Sequence, residues 1–360
     1  GGAAYHYWLN WLDILTVERS ATNILSAIEK MSVMKKQSYR LIKPFLLVAF
    51  SFVLITACYQ PVIQKAHLSP KLLVECRVIQ HKFGETCAPL KPQRIIALDP
   101  RITLDPLIAL GIKPIGFTSY NGKGKEVLFG VSSDEVKGSK NVGDAGQPSL
   151  ETILKLKPDL ILSTDYSDSH QKYKLLSAMA PTVSVPNDAD IPATYLENKA
   201  FFKENLRYIA KLVGQETKAE EVLNQYYKRV EELNKRLGNK LQQIEISVIF
   251  YGEGYIWTIA KSDTISHVLT DIGLRHKFVP YGKWNLSIET IGEYDADILF
   301  IIDIDRRSPS FYFQHPMFSS LKAVKNNRAY IVSQENWRGF GILGANKILD
   351  DLFKYLPSGT

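Results

Sequence analysis

Ser149-Leu150-Glu151-Thr152-Ile153, followed by Lys157-Pro158-Asp159-Leu160-Ile161-Leu162, is the stretch on which the fold turns. The same grammar returns 138 positions on, from Ser149 to Ser287 and from Asp159 to Asp297, without a gap. It reads there as Ser287-Ile288-Glu289-Thr290-Ile291 and Asp295-Ala296-Asp297-Ile298-Leu299-Phe300. Each copy predicts a short helix opened by a serine, whose hydroxyl can accept a backbone N–H at the helix start. Each then runs into a strand too apolar to keep one face in water. Two ungapped copies imply two halves that share a helix–strand unit.

Working outward, residues 94–98, 115–118, 159–163 and 182–185 read as short buried strands, with helical stretches at 104–110 and 150–156. Strands alternating with helices predict an α/β fold with mainly parallel sheets covered on both faces. Residues 199–238 break the alternation. They predict two helices, 199–212 and 217–237, separated by Gly214. In the second, Val222, Leu223, Tyr226, Val230, Leu233 and Leu237 form one stripe. Strands resume at 244–250, 255–259, 298–302 and 329–332, and a helix over 344–355 ends the pattern. The expected organisation is an N-terminal lobe (74–198), a helical connector (199–238) and a C-terminal lobe (239–360).

The N-terminal region is of another kind. Met34-Lys35-Lys36, Arg40 and Lys43 form a cationic segment, and residues 45–55 an apolar run that ends in Thr56-Ala57-Cys58. That run is short for a membrane-spanning helix and fits a signal-peptide core. Ile55-Thr56-Ala57-Cys58 looks like a lipobox, which makes Cys58 the expected lipidation site; an ordinary cleaved signal is the alternative. Residues 1–33 read as an upstream extension, 34–57 as the signal and 58–73 as a tether. Six Lys and Arg against three Asp and Glu fall within residues 1–57, so only about +4 of the net +7 belongs to the rest. Those charges are scattered, which argues against a nucleic-acid partner. Cys76 and Cys87 flank a predicted hairpin with a turn around Gly84-Glu85. In an exported chain they are either bridged or two free thiols.

Several strings resemble one family. Pro92-Gln93-Arg94-Ile95-Ile96-Ala97-Leu98, Leu110-Gly111-Ile112-Lys113-Pro114, Val142-Gly143, Gln147-Pro148-Ser149-Leu150-Glu151 and Leu156-Lys157-Pro158-Asp159-Leu160-Ile161 are similar to the N-lobe of the siderophore- and cobalamin-binding proteins of ABC importers. Val268-Leu269, Gly273-Leu274, the Ser287 string and the segment from Trp337 to Asp351 continue the likeness. The resemblance implies two α/β lobes joined by a long helix, with the ligand in the cleft between them. It also implies that Glu151 and Glu289, one per lobe, dock onto arginines of a permease dimer. The alternative is that each is simply a first-turn acid favourable to its helix dipole.

Beyond residue 58 the sequence holds three tryptophans, Trp257, Trp284 and Trp337. All are expected near strand ends, where α/β sheets bind ligands. They are either an aromatic wall or ordinary core. Trp284 and Trp337 fall where the resemblance places aromatic contacts. Arg306, Arg307 and Arg338 follow C-lobe strands, and Arg101 and Tyr166 (beside Asp165) follow N-lobe strands. Arginine offers rigid donors for carboxylate, hydroxamate or citrate oxygens; the alternative is surface pairing with Asp303, Asp305 or Glu335. Asp144-Ala145 stands where some hydroxamate binders carry an arginine, which favours citrate-type or mixed ligands. Gly339-Phe340-Gly341-Ile342-Leu343-Gly344 fits GxGxxG but lies too near the C-terminus for a dinucleotide fold. The histidines form no metal motif, and no nucleophile stands out. The expected protein is a monomeric, non-enzymatic, lipid-anchored binding protein of the cell envelope. It carries a ferric siderophore as ligand, without cofactor or metal ligands of its own. Cobalamin or haem is the alternative ligand, and an exported α/β enzyme the distant alternative.

Overall fold

The computed structural model describes residues 75–358 apart from 123, 165–169, 188–190 and 280–285, and the side chains of 193 and 194. The leader, the tether, Cys58, Asp165, Tyr166 and Trp284 lie outside the described residues.

The first described element is a hairpin, β1 (Cys76–His81) and β2 (Gly84–Pro89). His81 pairs with Gly84, so the turn is Lys82-Phe83 and not Gly84-Glu85. Gly84, at φ +124°, opens the second strand just past the tight loop. Cys76 and Cys87 are joined, with Cα atoms 5.4 Å apart. The hairpin covers the edge of the first sheet: the Thr86 hydroxyl donates to the Thr182 carbonyl at 2.7 Å. Covering an edge strand in this way removes a row of backbone groups open to pairing.

That sheet contains β3 (Ile95–Ala97), β4 (Gly116–Gly122), β5 (Lys125–Val127), β6 (Lys140–Asp144), β7 (Gln147–Pro148), β8 (Leu160–Thr164) and β9 (Thr182–Val185). Its order is β7-β6-β4-β3-β8-β9, with β5 paired to β4. The β6–β4–β3–β8–β9 pairings are parallel. Strand residues alternate between two cores. Ile95, Ala97, Leu160 and Leu162 enter one, and Ile96, Leu98, Val142 and Ile161 the other. This two-sided burial is why the sequence shows unbroken apolar runs. The helices are α1 (Asp105–Ala109), α2 (Leu150–Leu156) and α3 (His170–Ser177). α1 falls within the helix expected over 104–110, and a wide-turn π-helix, Pro100–Leu104, leads into it.

The connector is α4 (Phe201–Val213) and α5 (Glu216–Leu237), the two helices expected there, and α5, at 22 residues, is the long linking helix the resemblance implied. Gly214 at φ +71° closes α4 in the left-handed conformation, which lets the chain reverse there. The buried residues of α5 include Leu223, Tyr226, Val230, Leu233 and Leu237 of the stripe read from the sequence, with Val222 half-buried beside them.

The second sheet holds β10 (Glu245–Gly252), β11 (Tyr255–Thr258), β12 (Arg275–His276), β13 (Ile298–Asp303) and β14 (Ala329–Val332) in the order β11-β10-β13-β14, with β12 beside β10. Around it lie α6 (Thr264–Ile272), α7 (Gln334–Trp337) and α8 (Ile342–Tyr355). Val248, Phe250, Phe300 and Ile302 face the connector, and Ile249, Tyr251, Leu299 and Ile301 face a separate core. One continuous core therefore runs from the first sheet through α4 and α5 to the second.

Candidate functional site

The carboxyl ends of strands from both sheets meet around a cavity of about 360 Å3. The first half contributes Arg101, Tyr120, Asn121, Gly122, Val127 and Phe129, and the second Ile304, Arg306, Gln334 and Arg338. Three of the arginines singled out in the sequence, Arg101, Arg306 and Arg338, thus come together from positions 205 to 237 residues apart in the chain (101 to 306, 101 to 338).

Arg101 is placed by its π-helix. Asp99 caps that helix, accepting the N–H groups of Arg101 at 2.8 Å and Ile102 at 2.9 Å. The other Asp99 oxygen accepts the Tyr120 hydroxyl at 2.5 Å, and that hydroxyl accepts from the Arg101 guanidinium at 2.8 Å. Burial, then the neighbouring Asp99 carboxylate, pushes the Tyr120 pKa well above the usual phenol range, so the hydroxyl keeps its proton. Arg101 lies over the rings of Phe340 (4.2 Å) and Tyr120 (4.8 Å), and its Nε is buried without a hydrogen-bond partner. Asx-capping by Asp99 followed by Pro100 at the first helical position was a legible signal for this turn, and sequence reasoning missed it.

Arg338 follows α7 and lies over Phe129 at 4.9 Å. Among the described residues its guanidinium has no hydrogen bond and no carboxylate. Burial, and then repulsion from Arg101, lowers its pKa below the ordinary arginine value. Two guanidinium groups that repel each other inside a half-enclosed cavity form an anion site by charge alone. Arg306, at the rim, is 3.6 Å from Glu335. Arg306 (φ 57°) and Phe129 (φ 42°) hold left-handed backbone without being glycine, a strain of about 1–3 kcal/mol each that tends to gather at binding sites.

The other expected residues fall elsewhere. Trp337 is 1% exposed, packs on Phe300 at 4.8 Å and donates its ring N–H to Asp351 at 2.7 Å. It is a core residue, because the short helix that carries it turns the ring onto β13. Trp257 stacks on Phe250 at 5.4 Å. Its ring edge shares the space over Gly252 with Ile304, one layer behind the cavity. Arg307 does not line the cavity; it lies 3.5 Å from Asp305 and over Phe311. Among the described residues the rings lining the cavity are Tyr120 and Phe129, with Phe340 against the Arg101 guanidinium; Trp257 and Trp337 do not line it. Phe340 was hidden within the glycine-rich string, and Phe129 carried no sequence signal.

Glu151 and Glu289 are both exposed. Glu151 is paired with Lys155 at 2.5 Å on α2, and Ser149 caps that helix at Thr152. Glu289 lies in a 3-10 helix, Ile288–Tyr294, and borders an open cavity of about 400 Å3 with Tyr255 and Leu286.

A model of the periplasmic binding protein family matches residues 95–335, well over half of the chain. The "Probable siderophore-binding lipoprotein YfiY" of Bacillus subtilis is 31% identical over 302 residues, 78% of this chain and 87% of that one. The Fe(3+)-citrate-binding protein YfmC of the same organism is 29% identical over 286 residues, 78% and 86% of the two chains. Among solved structures, SirA of Staphylococcus aureus in complex with staphyloferrin B aligns at TM-score 0.60 and 25% identity, covering 79% of this chain and 99% of that one. The two-sheet architecture, the matched span and these relatives agree: the chain belongs to the periplasmic binding protein family.

Proposed function

We propose that this protein captures an anionic ferric siderophore of citrate or mixed carboxylate type and delivers it to an ABC importer. The observation that carries the reading is the pair of guanidiniums, Arg101 and Arg338, brought from opposite halves into one cavity with no carboxylate among its described lining residues. A hydroxycarboxylate ferric chelate supplies the missing negative charge, and the rings of Tyr120, Phe129 and Phe340 supply apolar contact. Iron enters as part of the ligand, so the protein needs no metal ligands or cofactor of its own, and it performs no chemistry on its cargo. A neutral corrinoid would leave Arg338 desolvated without a counter-charge, which is why cobalamin ranks below the anionic chelates.

Anchoring through Cys58, residence at the envelope and monomeric docking onto a permease dimer through Glu151 and Glu289 belong to the same proposal. The relatives' names and the lipobox-like string support the anchor. The two exposed acids, one per half and 138 positions apart, support docking, because paired charges orient an encounter more than they tighten it.

The test is a fluorescence titration of Leu73–Thr360 with ferric citrate, a ferric hydroxamate, haem and cobalamin, with Trp257 close behind the cavity as reporter. Saturable quenching by ferric citrate, and not by citrate alone, is expected. Binding of cobalamin or haem alone would replace the ferric ligand and keep the transport role.

A further inference from the structure

The glycine-rich string Gly339–Gly344, whose GxGxxG pattern lies too near the C-terminus for a nucleotide site, has another use. In the structure it is the seam between the halves, and what fills the seam is a carboxylate. Asp105, at the start of α1 in the first half, is fully buried. Its two oxygens accept the N–H groups of Leu343 at 3.1 Å and Gly344 at 3.2 Å, the free amides at the start of α8. The contact spans 238 residues of chain. The glycines make room for it: a Cβ on Gly341 would stand 2.1 Å from the Asp105 carboxyl, and one on Gly344 would stand 2.7 Å from the Cα of Gly339.

Both ends of this contact lead directly into the cleft. Asp105 is one helical turn beyond Arg101, and Gly341 is three residues beyond Arg338, with Phe340 between it and the Arg101 guanidinium. We propose that Asp105 is a positioning residue of the ligand site, which locks the Arg338–Phe340 segment of one half against Arg101 of the other. The proposal rests on the reading of the cleft as an anion site.

The lock is sensitive to charge. Burial raises the Asp105 pKa from 3.8 to about 7, against the pull of the helix amides, and the Glu135 carboxylate adds to the rise. Glu135 is the charged group facing it from the 128–136 segment, where it holds Ser132. On the π-helix before it, Arg101 lines the cleft, and Asp99, the cap of that helix, is buried and bonded to Tyr120. α4 offers the neutral Asn205, bonded to Ile102. On α8, Lys347 lines a neighbouring cavity with Glu335. Because the folded pKa lies above the unfolded one, the stability tied to this group is present at low pH and lost as pH rises from about 4 to about 7. The same linkage acts on the seam and on the ligand. Opening the seam hydrates the carboxyl and favours its ionised form, whereas an anion bound nearby favours its protonated form. Mild acid therefore tightens both.

The experiment compares the full chain with its Asp105→Asn variant, which fixes the group in a neutral shape, at pH 6 and pH 8. Two readouts are taken: affinity for ferric citrate and melting temperature. Wild type should lose about fivefold in affinity from pH 6 to pH 8 relative to the variant, as for a ligand-linked pKa rise of about one. Its melting temperature should fall relative to the variant over the same interval. Parallel behaviour of the two proteins in both readouts overturns the proposal. A melting difference without an affinity difference reduces Asp105 to a buried structural acid. If wild type binds no ferric citrate and the melting difference remains, the ligand reading fails and the seam stands.

Discussion

Asp159 and Asp297 occupy matching places in the two halves. The Asp159 carboxylate accepts the N–H groups of Gln93 (2.7 Å) and Arg94 (2.9 Å) at the start of β3, and its own N–H donates to the Arg94 carbonyl. Asp297 accepts the N–H of Glu245 (2.9 Å) at the start of β10 and donates its own to the Glu245 carbonyl. Interiors that repeat to this degree contrast with surfaces that do not. The first copy of the helix is a capped α-helix whose glutamate is tied to Lys155; the second is a 3-10 turn whose glutamate borders an open cavity. In the cleft the first half supplies an arginine braced by Tyr120 and Asp99, and the second an arginine braced by a ring alone. Where a residue sets strand register the two halves match; at the cleft and at the two exposed glutamates they differ.

The largest effect should come from treating the second half's tryptophan as scaffold. Trp337→Ala empties a fully buried site and should cost about 3–5 kcal/mol in denaturant unfolding. A loss under 1 kcal/mol would return Trp337 to the list of ligand contacts. Next come the two arginines, one per half. Arg101→Ala and Arg338→Ala should each weaken ferric citrate binding by about thirtyfold to a hundredfold in titration. Arg338→Ala should melt no lower than wild type, since it removes a desolvated charge without a carboxylate among the described residues. A response confined to one arginine would make the cleft one-sided.

The repeated aspartates sharpen the comparison at a smaller scale. Asp159→Ala should cost about 1–2 kcal/mol, and Asp297→Ala about the same, since it forfeits one backbone bond and the Lys322 ion pair in place of two backbone bonds. The Lys322 ion pair, and then the Glu245 N–H, hold the Asp297 pKa below its ordinary value. Its contribution should therefore persist at neutral pH and vanish as pH falls from about 4 through that lower value. Smallest in vitro are Glu151→Ala and Glu289→Ala: ligand affinity unchanged, uptake by a reconstituted importer reduced. Unimpaired uptake in both would leave the acids as helix-terminus charges.

Much of the scaffold was legible because two-sided burial writes itself as apolar runs, and α5 as a stripe of period 3.6. The edge strands β5, β7 and β12 were not, since two or three residues of ladder leave no pattern. Of the site, Arg101, Arg306 and Arg338 were legible as arginines just past strand ends. Tyr120 and Phe129 were not, because a ring's role depends on which half faces it. Trp337 misled for the same reason: position after a strand fixes a neighbourhood and not the side to which a ring turns. Asp105 was the deepest omission. Its partners are backbone amides more than 200 residues away, and a backbone amide has no letter.

The core that passes unbroken through the connector opposes a wide swing of one half against the other. A receptor with a joint reports its cargo by a change of outline. On the proposed reading, scattering profiles of empty and loaded protein should nearly superimpose, and an anion settling among the arginines would report itself by cancelling the positive field at the mouth of the cleft. The importer would then tell a full carrier from an empty one by its charge and not by its shape.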